Sequence, residues 1–239
     1  MKIDLFDEQA LSDYHKRTLN ILKVTERLTL QYGYSKVTME DIARESSLGK
    51  GTLYLHWKSK DNLYYALLSL VSAEVIYEII KELEENKDTV IFDNLLCKLY
   101  IACCEKKIIN GLFTRDSKLL GKLLDKKIGS VSQRIKTESL RKSLDMYRIH
   151  GMIRTDVPVE VQLHSVNMLL IGMFNYNNYI SNLIPLHEQV IMFKTIIKNS
   201  FIPDKASEVK QELFEYVYSE FQELLDFYRK QVFSTTLKL

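Results

Sequence analysis

Proline is scarce in this chain, three residues in 239, and glycine is limited to eight. So few turn formers exclude a collagen-like or low-complexity chain and argue against a many-turned sandwich or barrel. Cysteine is equally scarce. Cys97, Cys103 and Cys104 are an odd set without a CxxC spacing, which excludes the disulfide framework of a small secreted scaffold. The five histidines show no ligand spacing, so no metal is expected. Long apolar runs are missing too. The longest, Met168 to Phe174, falls far short of the ~20 residues of a membrane span. The polar, acidic stretch Met1 to Tyr14 does not read as a signal peptide. There is no Gly-rich phosphate loop, no nucleophile elbow and no acid pair beside a candidate base. The expectation is therefore a cytoplasmic protein that is not an enzyme, carries no cofactor and has no membrane partner.

What is present is an ordinary globular composition, 46% apolar and 27% charged. Apolar residues recur mostly at spacings of three and four, and alternating strand-like runs are rare. The prolines Pro158, Pro185 and Pro203 lie between periodic segments, and Gly33, Gly111, Gly129 and Gly151 fall where such segments end. This predicts an all-α chain of nine or ten helices. The expected spans are 16–32, 39–45, 50–57, 60–84, 89–109, 115–126, 131–150, 159–180, 187–200 and 205–232.

Charge is uneven along the chain. Residues 16–60 hold nine Lys and Arg against four Asp and Glu, although the whole chain is only +2. A basic N-terminal module on a slightly acidic body is the asymmetry of a nucleic-acid-binding head, or of an ordinary solvated helical surface.

The stretch Val37 to Trp57 decides between these. Thr38 suits an N-cap, with Asp41 at the third helical position as in a capping box. Ser46 to Gly49 breaks this short helix, and Gly49 can cap the next. Leu53 and Trp57, four apart, share a face and pack inward. That leaves Lys50, Thr52, Tyr54, Leu55 and His56 wholly or partly outward. A short helix with small side chains near its start, followed by hydroxyls and an imidazole, is suited to the major groove.

Three blocks of residues resemble a known family. They are Ile21-Leu22 with Gly33-Tyr34, then Thr38-Met39-Glu40-Asp41-Ile42-Ala43, then the unbroken run Lys50 to Leu63. Together they resemble the helix-turn-helix head of the tetracycline-repressor (TetR) family of bacterial regulators. His150-Gly151-Met152-Ile153-Arg154-Thr155-Asp156 resembles a common connection of the same family. The resemblance departs at Ser47, where the family usually has a turn glycine with positive φ, a change expected to cost about 1 kcal/mol. It departs also at Thr25 and Thr29, which stand where an alanine and a large aromatic are usual, so a less stable head is expected.

The resemblance implies a DNA-binding domain over 1–60 and an α-helical ligand-binding and dimerisation domain over 61–239. It implies phosphate contacts from Thr38, Thr52, Tyr54 and His56, with Tyr54 also near base edges. Lys50, Gly51 and Leu55 would face base edges, and Lys60 would bind a phosphate at a helix N-terminus. It also implies that the helices over 159–180 and 187–200 form a four-helix bundle across a two-fold axis, which brings Leu163, Phe193 and Ile197 to a homodimer interface. A small-molecule effector, hydrophobic or amphipathic, would bind among the middle helices. The candidate lining residues are Tyr100, Cys103, Cys104, Asn110, Phe113, Arg115, Met146, Asn167, Asn175 and Tyr176; each also reads as an ordinary core residue. The expected function is a repressor released from a palindromic double-stranded DNA operator. The alternatives are a ligand-blind architectural DNA-binding protein, or a helical metabolite-binding protein or enzyme with a vestigial head.

Overall fold

The computed structural model describes residues 5–6, 11–125, 127–179, 184–205 and 208–234, the side chains of 125, 127–137 and 177–179 excepted. The described residues form helices and no strand. The order is α1 (Asp13–Tyr32), α2 (Met39–Glu45), α3 (Lys50–His56), α4 (Lys60–Glu85), α5 (Phe92–Glu105), α6 (Lys107–Phe113), α7 (Ser117–Leu120), α8 (Lys127–Ile149), α9 (Val159–Tyr179), α10 (Leu186–Phe201) and α11 (Gln211–Val232). Short 3-10 turns, Lys87–Val90 and Gly121–Asp125, precede α5 and follow α7.

The chain divides into two compact units. One takes in residues up to Tyr77, Lys106–Val131 and the chain from Leu224; the other takes in Glu78–Glu105 and Ser132–Glu223. The expected boundary at residue 60 thus falls inside the first unit, at the first residue of α4.

In the first unit α1 packs on α2, α6 and α7, and α2 packs on α3. Ile21, Leu22, Ile42, Leu53, Leu63, Ala66 and Leu67 are fully buried there. Two glycines fix how α1 meets α7. Gly33 ends α1 at φ 80, and a Cβ there would run into the Lys118 carbonyl oxygen. Gly121 ends α7 at φ 49, where a Cβ would meet the Ser35 hydroxyl. Both positions need a residue without a side chain. The Tyr34 N–H then donates to Leu119 O at 2.8 Å. A single helix over 115–126 was expected; Gly121 divides it. The expected helix over 89–109 divides as well. Lys106 leaves helical geometry between α5 and α6 and pairs with Glu74 of α4 at 3.0 Å.

In the second unit α5 packs on α10. Tyr100 carries the centre of this layer, with Phe174 and Phe193 ring centroids at 4.9 and 5.7 Å. Phe92 touches Tyr147 and Phe201 in the same way, at 5.1 and 5.8 Å. The fully buried Tyr147 donates its hydroxyl to Val90 O. The turn after α8 is held by Arg148, whose guanidinium donates to Val157 O and Gln162 Oε1, both at 2.7 Å. Met152 and Ile153 of that turn are buried.

Phe193 and Ile197 of α10 and Leu163 of α9 are buried within their own chain, which corrects their expected place at a dimer interface; Phe201 is buried in the same stripe of α10. α10 has two apolar faces, and this one covers α5. The face left open carries Ile191 and Met192, 65% and 61% exposed. On α9 the open positions are Val161, Met168, Ile171 and Tyr176.

α4 is apolar and long enough to cross a membrane by composition alone, but 78% of its apolar window is buried inside the protein. That is the pattern of a core helix.

Candidate nucleic-acid interface

Thr38 caps α2 as its position predicts. Its hydroxyl oxygen accepts the Asp41 N–H at 3.1 Å, and Asp41 Oδ2 accepts the Thr38 N–H at 3.1 Å. The reciprocal pair satisfies two backbone donors that a helix start leaves open. It also holds the Asp41 carboxyl below the usual carboxylate range, first through the Thr38 side chain. The α2–α3 turn then closes with Leu48 N–H donating to Ala43 O at 2.8 Å. Ser47 sits in that turn at φ 56, the left-handed region the resemblance implied.

Gly49 caps α3 without a side chain. Leu53 and Trp57 are buried, at 0% and 1% exposure, and anchor the helix. Lys50, Gly51, Tyr54 and Leu55 lie outward at spacings of one, three and one, which places them on one face. Leu55 is 73% exposed. Nothing in the protein lies within 4 Å of where a Gly51 Cβ would stand, so the fold does not require glycine there. Thr52 is half-buried and Thr38 exposed.

His56 lies inward, contrary to the expectation that it faces out. It is three residues from Leu53, on the same helical face, and is 2% exposed. Its Nδ1 lies 3.0 Å from Thr18 Oγ1 of α1. The Tyr14 ring stacks on it with centroids 4.3 Å apart and planes at 8°. Burial, then the nearby Arg17 charge, holds its pKa below the usual histidine value. The α1 residues Tyr14 and Thr18 were not legible as parts of this site. Their only sequence signal is their spacing of four, one face of α1.

Two expected lysines already have partners. Lys50 pairs with Glu40 of α2, which raises the lysine's pKa and lowers the glutamate's. Lys60 Nζ donates to Tyr34 O and stands 4.0 Å from the centre of the Tyr34 ring. The Tyr34 hydroxyl donates to Asp61 Oδ1 at 2.8 Å. Lys60 therefore ties the start of α4 to the end of α1 while carrying its charge at the α4 N-terminus.

The candidate effector residues belong to different units. Asn110, Phe113 and Arg115 are in the first; Tyr100, Cys103, Cys104, Met146, Asn167, Asn175 and Tyr176 are in the second. Tyr100 is buried, and its hydroxyl donates towards Met173 O and Gln189 Oε1 at 3.4 and 3.5 Å. Asn167 and Asn175 each donate to the carbonyl four residues back, on Leu163 and Ile171. Cys103, Cys104 and Met146 are half-buried, Tyr176 is exposed, and Arg115 is exposed at φ 51. Burial pushes the Cys97 thiol up to about 11, so it is no ready nucleophile. A shallow groove of about 440 Å³ on α1 is lined by Lys23, Glu26, Arg27, Leu30 and Gln31, none of them an effector candidate.

Residues 21–67, which span α2, α3 and parts of α1 and α4, match the family model described as bacterial regulatory proteins, tetR family. Residues 21–67 are thus similar to the head of TetR-family regulators. It is similar to the nucleoid occlusion factor SlmA of Aliivibrio fischeri, 26% identical over 83 residues, which is 35% of this chain and 42% of that protein. It is similar to the uncharacterized HTH-type transcriptional regulator YhgD of Bacillus subtilis, 28% identical over 75 residues, 31% of this chain and 35% of that one. It is also similar to the HTH-type transcriptional regulator QacR of Staphylococcus aureus, 38% identical over 50 residues, 21% of this chain and 27% of that one. The chain matches less than half the length of each of these relatives. A solved structure described as a tetR family transcription regulator from Shewanella sp. PV-4 shares the fold, with a TM-score of 0.50 and 16% identity. It covers 78% of this chain and 99% of that chain.

Proposed function

We propose that this chain is a dimeric, cytoplasmic transcriptional regulator of TetR type, a repressor released from a palindromic operator by a hydrophobic or amphipathic small molecule. The observation that carries the DNA-binding part is α3. Its inward side chains Leu53, His56 and Trp57 fix it in the head, while Lys50, Gly51, Tyr54 and Leu55 are presented outward. The vacant space at Gly51 suits close approach of a base pair, and the exposed Leu55 suits a thymine methyl group. Thr38, Thr52 and Lys60 flank this face as phosphate contacts, with His56 at its end. On this reading residues 1–60 are the DNA-binding part and 61–239 the ligand-binding and dimerisation part, with no catalytic residue assigned.

Dimerisation is supported by the open faces of α9 and α10. Met168, Ile171, Ile191 and Met192 are all more than half exposed. Gly172 lies among them with nothing within 4 Å of a would-be Cβ, which lets a second copy's helix come close. A two-fold pair would hold two α3 helices about one DNA turn apart, roughly 34–36 Å. The effector part rests on the resemblance; the aromatic group around Tyr100 is packed ring against ring.

The test is enrichment of duplexes from a random-sequence pool by the full chain. A two-fold symmetric sequence is expected, with binding weakened in Tyr54→Ala at unchanged helicity. Compounds that raise thermal stability are then titrated against the complex. Release by apolar or amphipathic compounds is expected. Tight symmetric binding that no compound releases would favour the ligand-blind architectural reading.

A further inference from the structure

We propose that Thr18 of α1 fixes neutral His56 with its hydrogen on Nδ1, so that contact between His56 and a DNA phosphate requires uptake of a proton. This rests on the DNA-binding reading above and adds to it a pH dependence written into one hydrogen-bonded triplet.

The triplet is Tyr14 O, Thr18 Oγ1 and His56 Nδ1. Thr18 Oγ1 lies 2.9 Å from the carbonyl oxygen and 3.0 Å from the imidazole nitrogen. A carbonyl oxygen only accepts, and a hydroxyl has one hydrogen to give. Both bonds form together in one way: the Thr18 hydroxyl donates to Tyr14 O, and His56 Nδ1–H donates to Thr18. Neutral His56 then carries a bare lone pair on Nε2. The partner is secure, because Thr18 is 1% exposed and the Tyr14 ring lies flat on the imidazole. Trp57, the residue that ends α3, lies beside the ring, with centroids 5.5 Å apart.

Nε2 lies on the ring edge away from Thr18, in a residue that is 2% exposed. Among the described residues it has no hydrogen-bond partner, yet it is not a fully buried unpaired atom. A phosphate oxygen arriving there meets a lone pair and is repelled. With a proton added, Nε2–H becomes a charged donor and the contact turns favourable.

The surrounding charges do not supply that proton in advance. Burial disfavours the imidazolium, and the Arg17 charge of α1 adds to that. His15 touches Tyr14 edge-on, with centroids 5.9 Å apart. On α2 the charges are engaged with one another or with neighbours: Asp41 with Arg44, Glu45 with Arg27, and Glu40 with Lys50. At the start of α4, Lys60 and Asp61 are bound to Tyr34. The free head is therefore neutral at His56 near pH 7, and the phosphate itself is the counter-charge. Affinity is then greatest at low pH. It falls as pH rises from the free-state pKa to the bound-state pKa, by up to about tenfold per pH unit per protomer.

The tautomer is read first, in the free protein, from the long-range nitrogen–proton spectrum of the His56 ring. A protonated Nδ1 and a bare Nε2 are expected, and an Nε2–H tautomer would overturn the proposal whatever the DNA does. Affinity for a duplex enriched by the wild-type chain is then followed from about pH 5.5 to about pH 8, across the range where a histidine titrates. The wild type should lose at least about fivefold per pH unit over part of that range. His56→Gln, which cannot titrate, should be flat. Thr18→Val removes the acceptor and frees the ring to take the Nε2–H form, so it should also lose the slope while keeping the histidine. Equal slopes in all three proteins would overturn the proposal with DNA binding intact. Failure of the wild type to enrich or bind any duplex would instead remove the regulator reading, and the proton linkage with it.

Discussion

Thr29 Oγ1 and the Tyr64 hydroxyl lie 2.6 Å apart between side chains that are 0% and 1% exposed. Thr29 also bonds Thr25 O at 2.6 Å, so its one hydrogen goes to that carbonyl and Tyr64 is the donor to Thr29. Burial pushes the Tyr64 phenol up to about 12, which keeps it a donor through the neutral range. The threonine that stands where the family usually has an aromatic is thus part of a satisfied pair joining α1 to α4. Its two sides should respond unequally. Thr29→Val strands a buried hydroxyl and should cost about 1–3 kcal/mol, whereas Tyr64→Phe leaves Thr29 its carbonyl and should cost about 1 kcal/mol. Urea unfolding of the two variants measures this order.

Ser47 should be a site of gain. At φ 56 a residue with a Cβ is strained by about 1–2 kcal/mol, and glycine is not. Ser47→Gly should raise the melting temperature by about 2–8 °C for a chain of this size, with DNA affinity unchanged. Calorimetry of the two proteins decides it; no gain would mean that the turn carries no strain.

Tyr54 and Lys60 should separate on stability. Tyr54 is 37% exposed, so Tyr54→Ala should weaken DNA binding by about 1–3 kcal/mol per protomer at unchanged unfolding midpoint. Lys60 bonds Tyr34 O and covers the Tyr34 ring, so Lys60→Ala should lower both. Binding and unfolding are measured on the same samples.

Assembly should follow the open faces. Met168→Glu and Ile191→Glu should sediment as monomers with full helicity, because a charge enters a contact between copies only. Phe193→Glu should lose helicity outright, since that ring is buried against Tyr100. Gly172→Ala should favour the helix by roughly 1 kcal/mol in the single chain, yet weaken self-association by filling the space a second copy would use. Monomeric wild type at micromolar concentration would contradict the dimer.

The Glu26 carboxyl should make the head less stable as pH rises. Its pKa is raised, first by burial and then by the Glu74 charge, with Lys106 opposing. The folded state therefore holds this proton more tightly than the unfolded chain. Stability falls from the ordinary carboxylate pKa up through the raised one. Glu26→Gln should remove that fall, so its advantage over wild type should be absent at acid pH and fully present at neutral pH. Denaturant midpoints at the two pH values test the sign.

The helix-turn-helix was legible because its signals are local. Thr38 with Asp41, the break at Ser47, the cap at Gly49 and the pair Leu53 and Trp57 act within a few residues of each other. His56 was misread because its partners Tyr14 and Thr18 are about forty positions away, and helical spacing alone does not say which neighbour fills the inner face. The break at Lys106 carries neither glycine nor proline, and its partner Glu74 is on another helix. On α10 the spacing marks two apolar faces equally; only packing against α5 shows that Phe193 and Ile197 are core and Ile191 and Met192 are open. The start of the last helix moved from 205 to Gln211, six residues beyond the point that apolar spacing suggested.

DNA recognition by α3 is tested most directly by duplex enrichment from a random-sequence pool, the wild-type chain beside Tyr54→Ala. A two-fold symmetric sequence is expected for the wild type, and much weaker enrichment of it by the variant at equal helicity and equal sedimentation. A wild type that enriches nothing, or a variant that enriches the same sequence as strongly, would contradict DNA recognition by α3.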